Sequence, residues 1–214
     1  MEVDMAKIIE DYADAHTDDV SLLLEALLEE TENITERSRW SIGKVEGKLL
    51  QLVIKISNTR RAVEVGTFTG YSALVMAEAL PKDGILTTCE NNREYADVAR
   101  RYFDKSPHGK KIQLILGPAL KALAEIPGSS QDLVFIDADK PSYSAYFDEA
   151  LRILQPGGII FVDNVFWRNK IFKKKISNEN AKAIAAFNEK VRREDRVEKV
   201  MLSVRDGVYL IRKK

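Results

Sequence analysis

The stretch Ala62-Val63-Glu64-Val65-Gly66-Thr67-Phe68-Thr69-Gly70-Tyr71-Ser72 decides the fold. An apolar run stops at a glycine, a short loop follows, and Tyr71–Leu80 then has helical character. Strand, glycine turn and helix in that order make the first half of a βαβ unit. In open α/β sheets ligands sit beyond the carboxyl ends of the strands, so the 66–70 loop is the first candidate site.

Moving outward, four more short β-branched runs read as strands: Ile85–Cys89, Ile112–Leu116, Leu133–Ile136 and Ile159–Val162. They alternate with helices near 92–104, 119–125 and 143–154, and Pro156-Gly157-Gly158 reads as a stop after the last. This alternation implies a parallel sheet with helices on both faces. A further helix is expected at 181–193. Val197–Val204 and Val208–Arg212 then read as strands separated by Arg205-Asp206-Gly207, and Asp-Gly is a tight-hairpin signal. Upstream, 20–30 and 45–56 carry apolar residues at helical spacing, with a polar segment between them ending at Ser38-Arg39-Trp40-Ser41-Ile42-Gly43. The expectation is one α/β domain over 1–214: a helical N-terminal cap, 1–58, on a doubly wound core, 59–214. The sheet should be seven-stranded and mostly parallel, with a C-terminal antiparallel hairpin.

Composition narrows the function. The chain has 214 residues, room for one sizeable core. Lys+Arg and Asp+Glu balance at 33 each, which gives no global reason to expect nucleic acid. The single cysteine, Cys89, excludes an intrachain disulfide and suits a reducing compartment. Met1–Asp14 carries five acidic residues and no apolar core, unlike a secretory signal. No apolar run approaches the ~20 residues that span a bilayer. A cytoplasmic protein without membrane association is expected.

The glycine loop excludes two common ligands. A dinucleotide fingerprint needs a glycine where Phe68 stands. A phosphate loop needs Lys-Ser/Thr after its last glycine, and Tyr71-Ser72 follows Gly70. Glu64 beside the loop suits an amino or cationic group instead. S-adenosylmethionine has an α-amino group and a sulfonium, and no phosphate. The plainer alternative is a generic βα turn whose glycine helps packing. Glu90 ends the second strand 24 residues beyond Gly66, near the spacing at which an acid accepts ribose hydroxyls. It could equally be a solvated acid at a strand end.

The fourth strand runs into Asp137-Ala138-Asp139-Lys140 and the fifth into Asp163-Asn164. Two carboxylates and an amide oxygen at one sheet edge form a hard, oxygen-only ligand set, suited to Mg²⁺, Mn²⁺ or Ca²⁺. Zinc is disfavoured, because the only histidines, His16 and His108, are remote in sequence. A cation would also have a chemical purpose, since coordination acidifies a hydroxyl and makes it a nucleophile. Lys140 is close enough to take the proton. Its alternative is an ion pair with Asp137 or Asp139.

Together EVGTFTGYSAL, FIDADKPSY, LQPGG and FVDNVFW resemble the cation-dependent O-methyltransferases, the catechol and caffeoyl-CoA group, in their bacterial form. The resemblance runs from about Trp40 to the C-terminus and implies a Rossmann-like class I methyltransferase fold. It implies that Glu64, Gly66, Thr67 and Ser72 contact the methionine part of S-adenosylmethionine. Ile42 would touch the cofactor through its backbone, Glu90 would hold the ribose, and Gly117-Pro118-Ala119 would line the adenine. Asp137, Asp163 and Asn164 would bind the metal, most simply Mg²⁺. Asp137 would also lie near the cofactor, and Lys140 would be the general base. Four places depart from the family pattern. Pro118 stands where an acid or small residue is frequent and offers no N–H. Trp40 replaces a methionine, Glu46-Gly47-Lys48 replaces Glu-Gly-Gln, and Ser203–Gly207 replaces Pro-Ile-Gly-Asp-Gly.

The acceptor implied is a small catechol-like or hydroxycinnamoyl-type molecule, with Trp40, Trp167 and Arg168 as its candidate contacts. Lys170 and Lys173–Lys175 could attract an anionic acceptor, or could be a solvated loop. The resemblance also implies a homodimer. Three rival readings remain: a nicotinamide oxidoreductase, which Phe68 opposes, a methyltransferase acting on tRNA, and a non-catalytic methyltransferase-like module.

Overall fold

The computed structural model describes residues 5–36 and 40–214. Ser38 and Arg39, at the end of the polar segment named above, lie outside the described residues, as does the start of the acidic N-terminus. Three helices precede the sheet: α1 (Met5–Ala15), α2 (Leu22–Ile34) and α3 (Lys44–Ile56). The core then alternates β1 (Arg61–Val65), α4 (Tyr71–Ala79), β2 (Ile85–Glu90), α5 (Arg93–Lys105), β3 (Ile112–Leu116), α6 (Ala119–Glu125), β4 (Gln131–Ile136), α7 (Tyr143–Ile153) and β5 (Leu154–Val162). Helix α8 (Glu179–Arg193) leads to β6 (Val197–Leu202) and β7 (Val208–Lys213).

One seven-stranded sheet results, in the order β3-β2-β1-β4-β5-β7-β6. Five strands are parallel, β7 runs antiparallel to β5, and β6 antiparallel to β7. Strand order reverses between β1 and β4, and at such a switch point the loops diverge and leave a crevice. The central strands are apolar because both faces are covered. One face packs Phe135, Phe161 and Leu86 under α2 to α5. The other packs Val134, Ile136 and Val162 under Tyr143, Phe147 and Phe187 of α7 and α8. Helix α4 is buried along Tyr71–Ala77, because α3 covers the side turned away from the sheet. Asn92 caps α5, its side chain accepting from the Glu94 and Tyr95 N–H groups, and Asn178 caps α8.

Two expectations need correction. Pro156-Gly157-Gly158 is not what stops α7: the helix has already ended at Ile153, and the three residues lie inside β5, which begins at Leu154. The strand absorbs the three residues through a register shift opposite Gln131/Leu133. Gly157 takes φ +84°, and a Cβ on Gly158 would lie 2.9 Å from the Gln155 carbonyl oxygen, so this bulge is built on glycine. The hairpin is also wider than Asp-Gly suggests. Strand β6 stops at Leu202, and the turn closes by Gly207 N–H donating to the Val204 carbonyl at 2.8 Å. Left-handed φ falls on Arg205 and Gly207, not on Asp206 as a two-residue Asp-Gly turn would require.

Candidate active site

At the carboxyl edge of the sheet the strand exits are laced together. The N–H of Asp163 donates to Ile136, that of Asp137 to Val65, that of Gly66 to Cys89 and that of Gly117 to Glu90, all to main-chain oxygens at 2.8–3.2 Å. Each loop therefore leaves from a fixed height, and residues at the exits of five strands line one cavity of about 850 Å³.

Gly66 has φ +103°, and a Cβ there would sit 2.0 Å from the Asp137 carbonyl oxygen. The glycine is required because the β1 exit crosses the β4 exit backbone to backbone. Phe68 takes a left-handed φ of 51°, and its N–H donates to Glu90 Oε2 at 2.7 Å. Glu90 Oε1 accepts from the N–H groups of Asn91 and Asn92. Burial still pushes the Glu90 carboxyl above the usual carboxylate range, against these three hydrogen bonds.

Glu64 is fully buried and is not part of the cavity wall, whereas Gly66, Thr67 and Ser72 are. Its Oε2 accepts from the Thr88 hydroxyl, while Oε1 has no donor among the described residues. Burial pushes this carboxyl up to about 8, opposed by the Ser72 and Thr88 hydroxyls. Ile42 is buried on the cavity wall, and Trp40 is half-exposed there with its ring 5.7 Å from that of Phe68. Gly117 and Ala119 line the cavity. Pro118 does not, and serves as the residue before α6.

The other end of the cavity holds Asp137, Lys140, Asp163 and Asn164. Lys140 is 5% exposed, and its Nζ donates to Asp137 Oδ1 at 3.0 Å, Asn164 Oδ1 at 2.8 Å and the Tyr143 hydroxyl at 2.6 Å. All three ammonium donors are thereby used. Tyr143 is fully buried and donates to the Asp163 main-chain oxygen. Burial, then the neighbouring carboxylates, holds its hydroxyl well above its usual value, so it remains a donor. Asp139 does not pair with Lys140, because its carboxylate accepts from Tyr146. Asp163 is 2% exposed, and burial, then Asp137, pushes it up to about 7.

Trp167, Arg168 and Asn169 form a run of left-handed residues above this end, with φ of 47°, 53° and 58°. Three contacts hold them. Asp206 accepts from Arg168 N–H, Trp167 Nε1 donates to Asn178, and Phe166 N–H donates to the Asp206 carbonyl. The Trp167 ring lies 5.4 Å from Lys140 Nζ. Lys173–Lys175 are exposed and away from the cavity wall.

The donor set fits a hard divalent cation. Asp137 and Asp163 bring two carboxylates and Asn164 an amide oxygen, all three on the cavity wall. Among the described residues no three His, Cys, Asp or Glu side chains are grouped so as to hold a metal ion. Sequence reasoning missed Tyr143, Glu46, Arg205 and Asp206. Tyr143 carried a readable signal, since it stands three residues after Lys140 where a helical turn brings the two together.

A sequence model of the family described as O-methyltransferase matches residues 14–214. The chain belongs to the O-methyltransferase family. Among relatives, Probable caffeoyl-CoA O-methyltransferase 1 of Dictyostelium discoideum is 32% identical over 94% of this chain and 90% of its own. A catechol O-methyltransferase of the bacterium Niastella koreensis is 34% identical over 77% of this chain and 76% of its own. The crystal structure of a Bacillus cereus O-methyltransferase in complex with SAH superposes with a TM-score of 0.87 at 28% identity, covering 97% of each chain. This O-methyltransferase therefore has the class I methyltransferase fold expected of it. Among its described residues no helix is long and apolar enough to cross a membrane.

Proposed function

We propose that the protein transfers a methyl group from S-adenosylmethionine to one hydroxyl of a small acceptor bearing two adjacent oxygens, of catechol or hydroxycinnamoyl type. The observation that carries this reading is the meeting of Asp137, Lys140 and Asn164 within hydrogen-bond distance, with Asp163 buried beside them, at one end of a cavity whose other end is the glycine loop and Glu90. Relatives named as caffeoyl-CoA and catechol O-methyltransferases, and the SAH-bound neighbour, support it.

S-adenosylmethionine would bring a methyl group already activated on sulfur. Thr67 and Ser72 offer hydroxyls, and Gly66 a close backbone, to its amino-acid part. The Glu90 carboxylate, held by three N–H groups, keeps lone pairs for ribose hydroxyls. Ala119 supplies the N–H that Pro118 lacks. Asp137, Asp163 and Asn164 would hold a divalent cation, Mg²⁺ by preference, whose chemistry is to favour ionisation of the acceptor hydroxyl. Lys140 would receive that proton as the neutral amine, positioned by Tyr143. Trp40 and Trp167 offer flat walls to an aromatic acceptor, and together with Ile42 they exclude water. Most of the rate enhancement would come from orienting the acceptor oxygen towards the methyl carbon. The buried Cys89 thiol, pushed up to about 12 by burial, takes no part. A cytoplasmic location and a homodimeric state belong to the same proposal.

The test is methyl transfer from labelled S-adenosylmethionine to a panel of catechols, caffeoyl-CoA and tRNA, with Mg²⁺ and with a chelator. Mg²⁺-dependent labelling of a catechol or caffeoyl-CoA is expected. Labelling of tRNA alone, or labelling indifferent to chelator, would refute the reading.

A further inference from the structure

Two consecutive residues at the tip of the β6–β7 hairpin, Arg205 and Asp206, line the cavity without a part in the proposed reaction. The turn that carries them is compact. Gly207 N–H donates to the Val204 carbonyl at 2.8 Å, and Arg205 and Gly207 take left-handed φ of 47° and 84°. From this one turn the two side chains go to partners on different walls.

Arg205 reaches the segment that leads into α3. Its guanidinium donates to the Ser41 main-chain oxygen at 3.2 Å and stands 3.6 Å from Glu46 Oε2. Between those contacts it lies against Gly43, the N-cap of α3, where an added Cβ would meet Cδ, Nε and Cζ at 3.3 Å. Ser41 and Ile42 belong to the cavity wall, and the ring of Trp40 beside them stands 5.7 Å from that of Phe68 in the glycine loop. This wall therefore adjoins the loop assigned to the donor.

Asp206 holds the other wall. Its Oδ1 accepts from Arg168 N–H at 2.5 Å, and its main-chain oxygen accepts from Phe166 N–H at 2.8 Å. The next carbonyl, that of Gly207, accepts from Val165 N–H at 3.1 Å. Four of the six residues 164–169 have a left-handed φ: Asn164, Trp167, Arg168 and Asn169. Such a run of non-glycine residues is strained and persists only where its surroundings hold it. Asn164, Trp167 and Arg168 line the cavity at the end assigned to the acceptor.

We propose that Arg205 and Asp206 are positioning residues for opposite walls of one active site: Arg205 sets the 40–43 segment against the donor, and Asp206 sets the 164–169 loop against the acceptor. Neither supplies a reacting group. The two ends are those of the methyl-transfer reading above, on which the assignment depends. A wall displaced by about 1 Å misaligns the ligand it orients, so residues outside the chemistry can affect it strongly.

The experiment measures SAH binding by calorimetry on the full chain. It also measures KM and kcat, at saturating S-adenosylmethionine and Mg²⁺, for whichever of catechol and caffeoyl-CoA the protein methylates. Arg205→Ala is expected to weaken SAH about tenfold, the scale of losing one charge-assisted hydrogen bond, and to leave the acceptor KM within about twofold. Asp206→Ala is expected to raise the acceptor KM about tenfold and to leave SAH within about twofold. Arg205→Lys keeps a donor and Asp206→Asn keeps an acceptor oxygen, so each should recover most of its loss. Residues that merely brace the fold would weaken both ligands together and lower kcat in step with melting temperature. That result, or no change in either ligand, overturns the proposal. So does Asp206→Asn behaving like Asp206→Ala, because the hydrogen bond to Arg168 N–H would then not be what matters. If Arg205→Ala does not fold, Arg205→Gln is read by the same split between donor and acceptor. Wild type that binds no SAH, or methylates neither acceptor, refutes the functional reading itself, which separates the two failures.

Discussion

Lys140 makes three hydrogen bonds from one nitrogen, and each partner belongs to a different part of the site: the β4 exit, the β5 exit and α7. Removing the amine should therefore affect the chemical step more than donor binding. Lys140→Met is expected to lower kcat by about a hundredfold or more, within the range of general acid–base catalysis, while calorimetry shows S-adenosylmethionine bound within a few-fold of wild type. A matched loss of donor affinity would assign the lysine to the cofactor instead. Tyr143→Phe should cost less, about tenfold in kcat, because Lys140 keeps two of its partners. At this scale the sequence was most readable where an apolar strand stops at an acid, as at Ile136-Asp137 and Val162-Asp163. It was least readable at Glu46, which stands between Lys44 and Lys48 and looks like an ordinary solvated helix acid. Only the packing of α3 against α4, and the arrival of Arg205 from 159 residues away in sequence, make it a buried acid.

Loops, more than helices or strands, determine how well the site is formed. Gly66 lets the β1 exit cross the β4 exit, and a side chain there would meet the Asp137 carbonyl oxygen while also holding a strained φ. Gly66→Ala should destabilise the fold by about 3 kcal/mol or more, read as a lower denaturant midpoint, since backbone cannot yield as a side-chain tip can. Gly207 is a different case. A Cβ there would press on the Phe166 ring at 2.6 Å, and that ring can move, taking Trp167 and Arg168 with it. Gly207→Ala should therefore raise KM for the acceptor several-fold and leave donor affinity near wild type. Equal effects on both would show that the 164–169 loop does not face the acceptor. The element pattern was legible because a parallel sheet writes itself as alternating apolar runs. The β5 bulge was not, because Pro-Gly-Gly signals a break wherever it stands, and only the register against β4 shows a strand absorbing it. The wide hairpin turn was misjudged for a related reason: what shapes it is Asp206 binding the 166–168 backbone, a long-range contact without local signature.

For the molecule as a whole, two features lie outside any single element. Ile8, Ile9 and Tyr12 of α1 are more than half exposed, as are Leu52 and Ile56 of α3, and this apolar surface supports the proposed homodimer. Sedimentation should give a dimer for wild type and a monomer for Ile8→Glu/Ile9→Glu, and a monomeric wild type would remove that part of the proposal. The second feature is the pH dependence built in by buried acids. The Glu64 carboxyl is raised from an ordinary 4.5 to about 8 by burial, so the folded state holds its proton more tightly than the unfolded chain does. Stability from this group is then complete below pH 4.5 and is lost as pH rises to about 8, at up to about 1.4 kcal/mol per pH unit. Asp163, raised to about 7, slopes the same way, but it is present in both proteins when wild type is compared with Glu64→Gln. The difference between their melting profiles therefore isolates Glu64. Wild type should lose melting temperature relative to the variant between pH 5 and 8, and the variant should melt higher at pH 8. Saturating S-adenosylmethionine should narrow that gap, because a cationic amino group near the glycine loop would answer the charge that burial penalises. If the two profiles run parallel with pH, Glu64 is not titrating in this window. If the cofactor leaves the gap unchanged, Glu64 shapes the loop without sensing the donor.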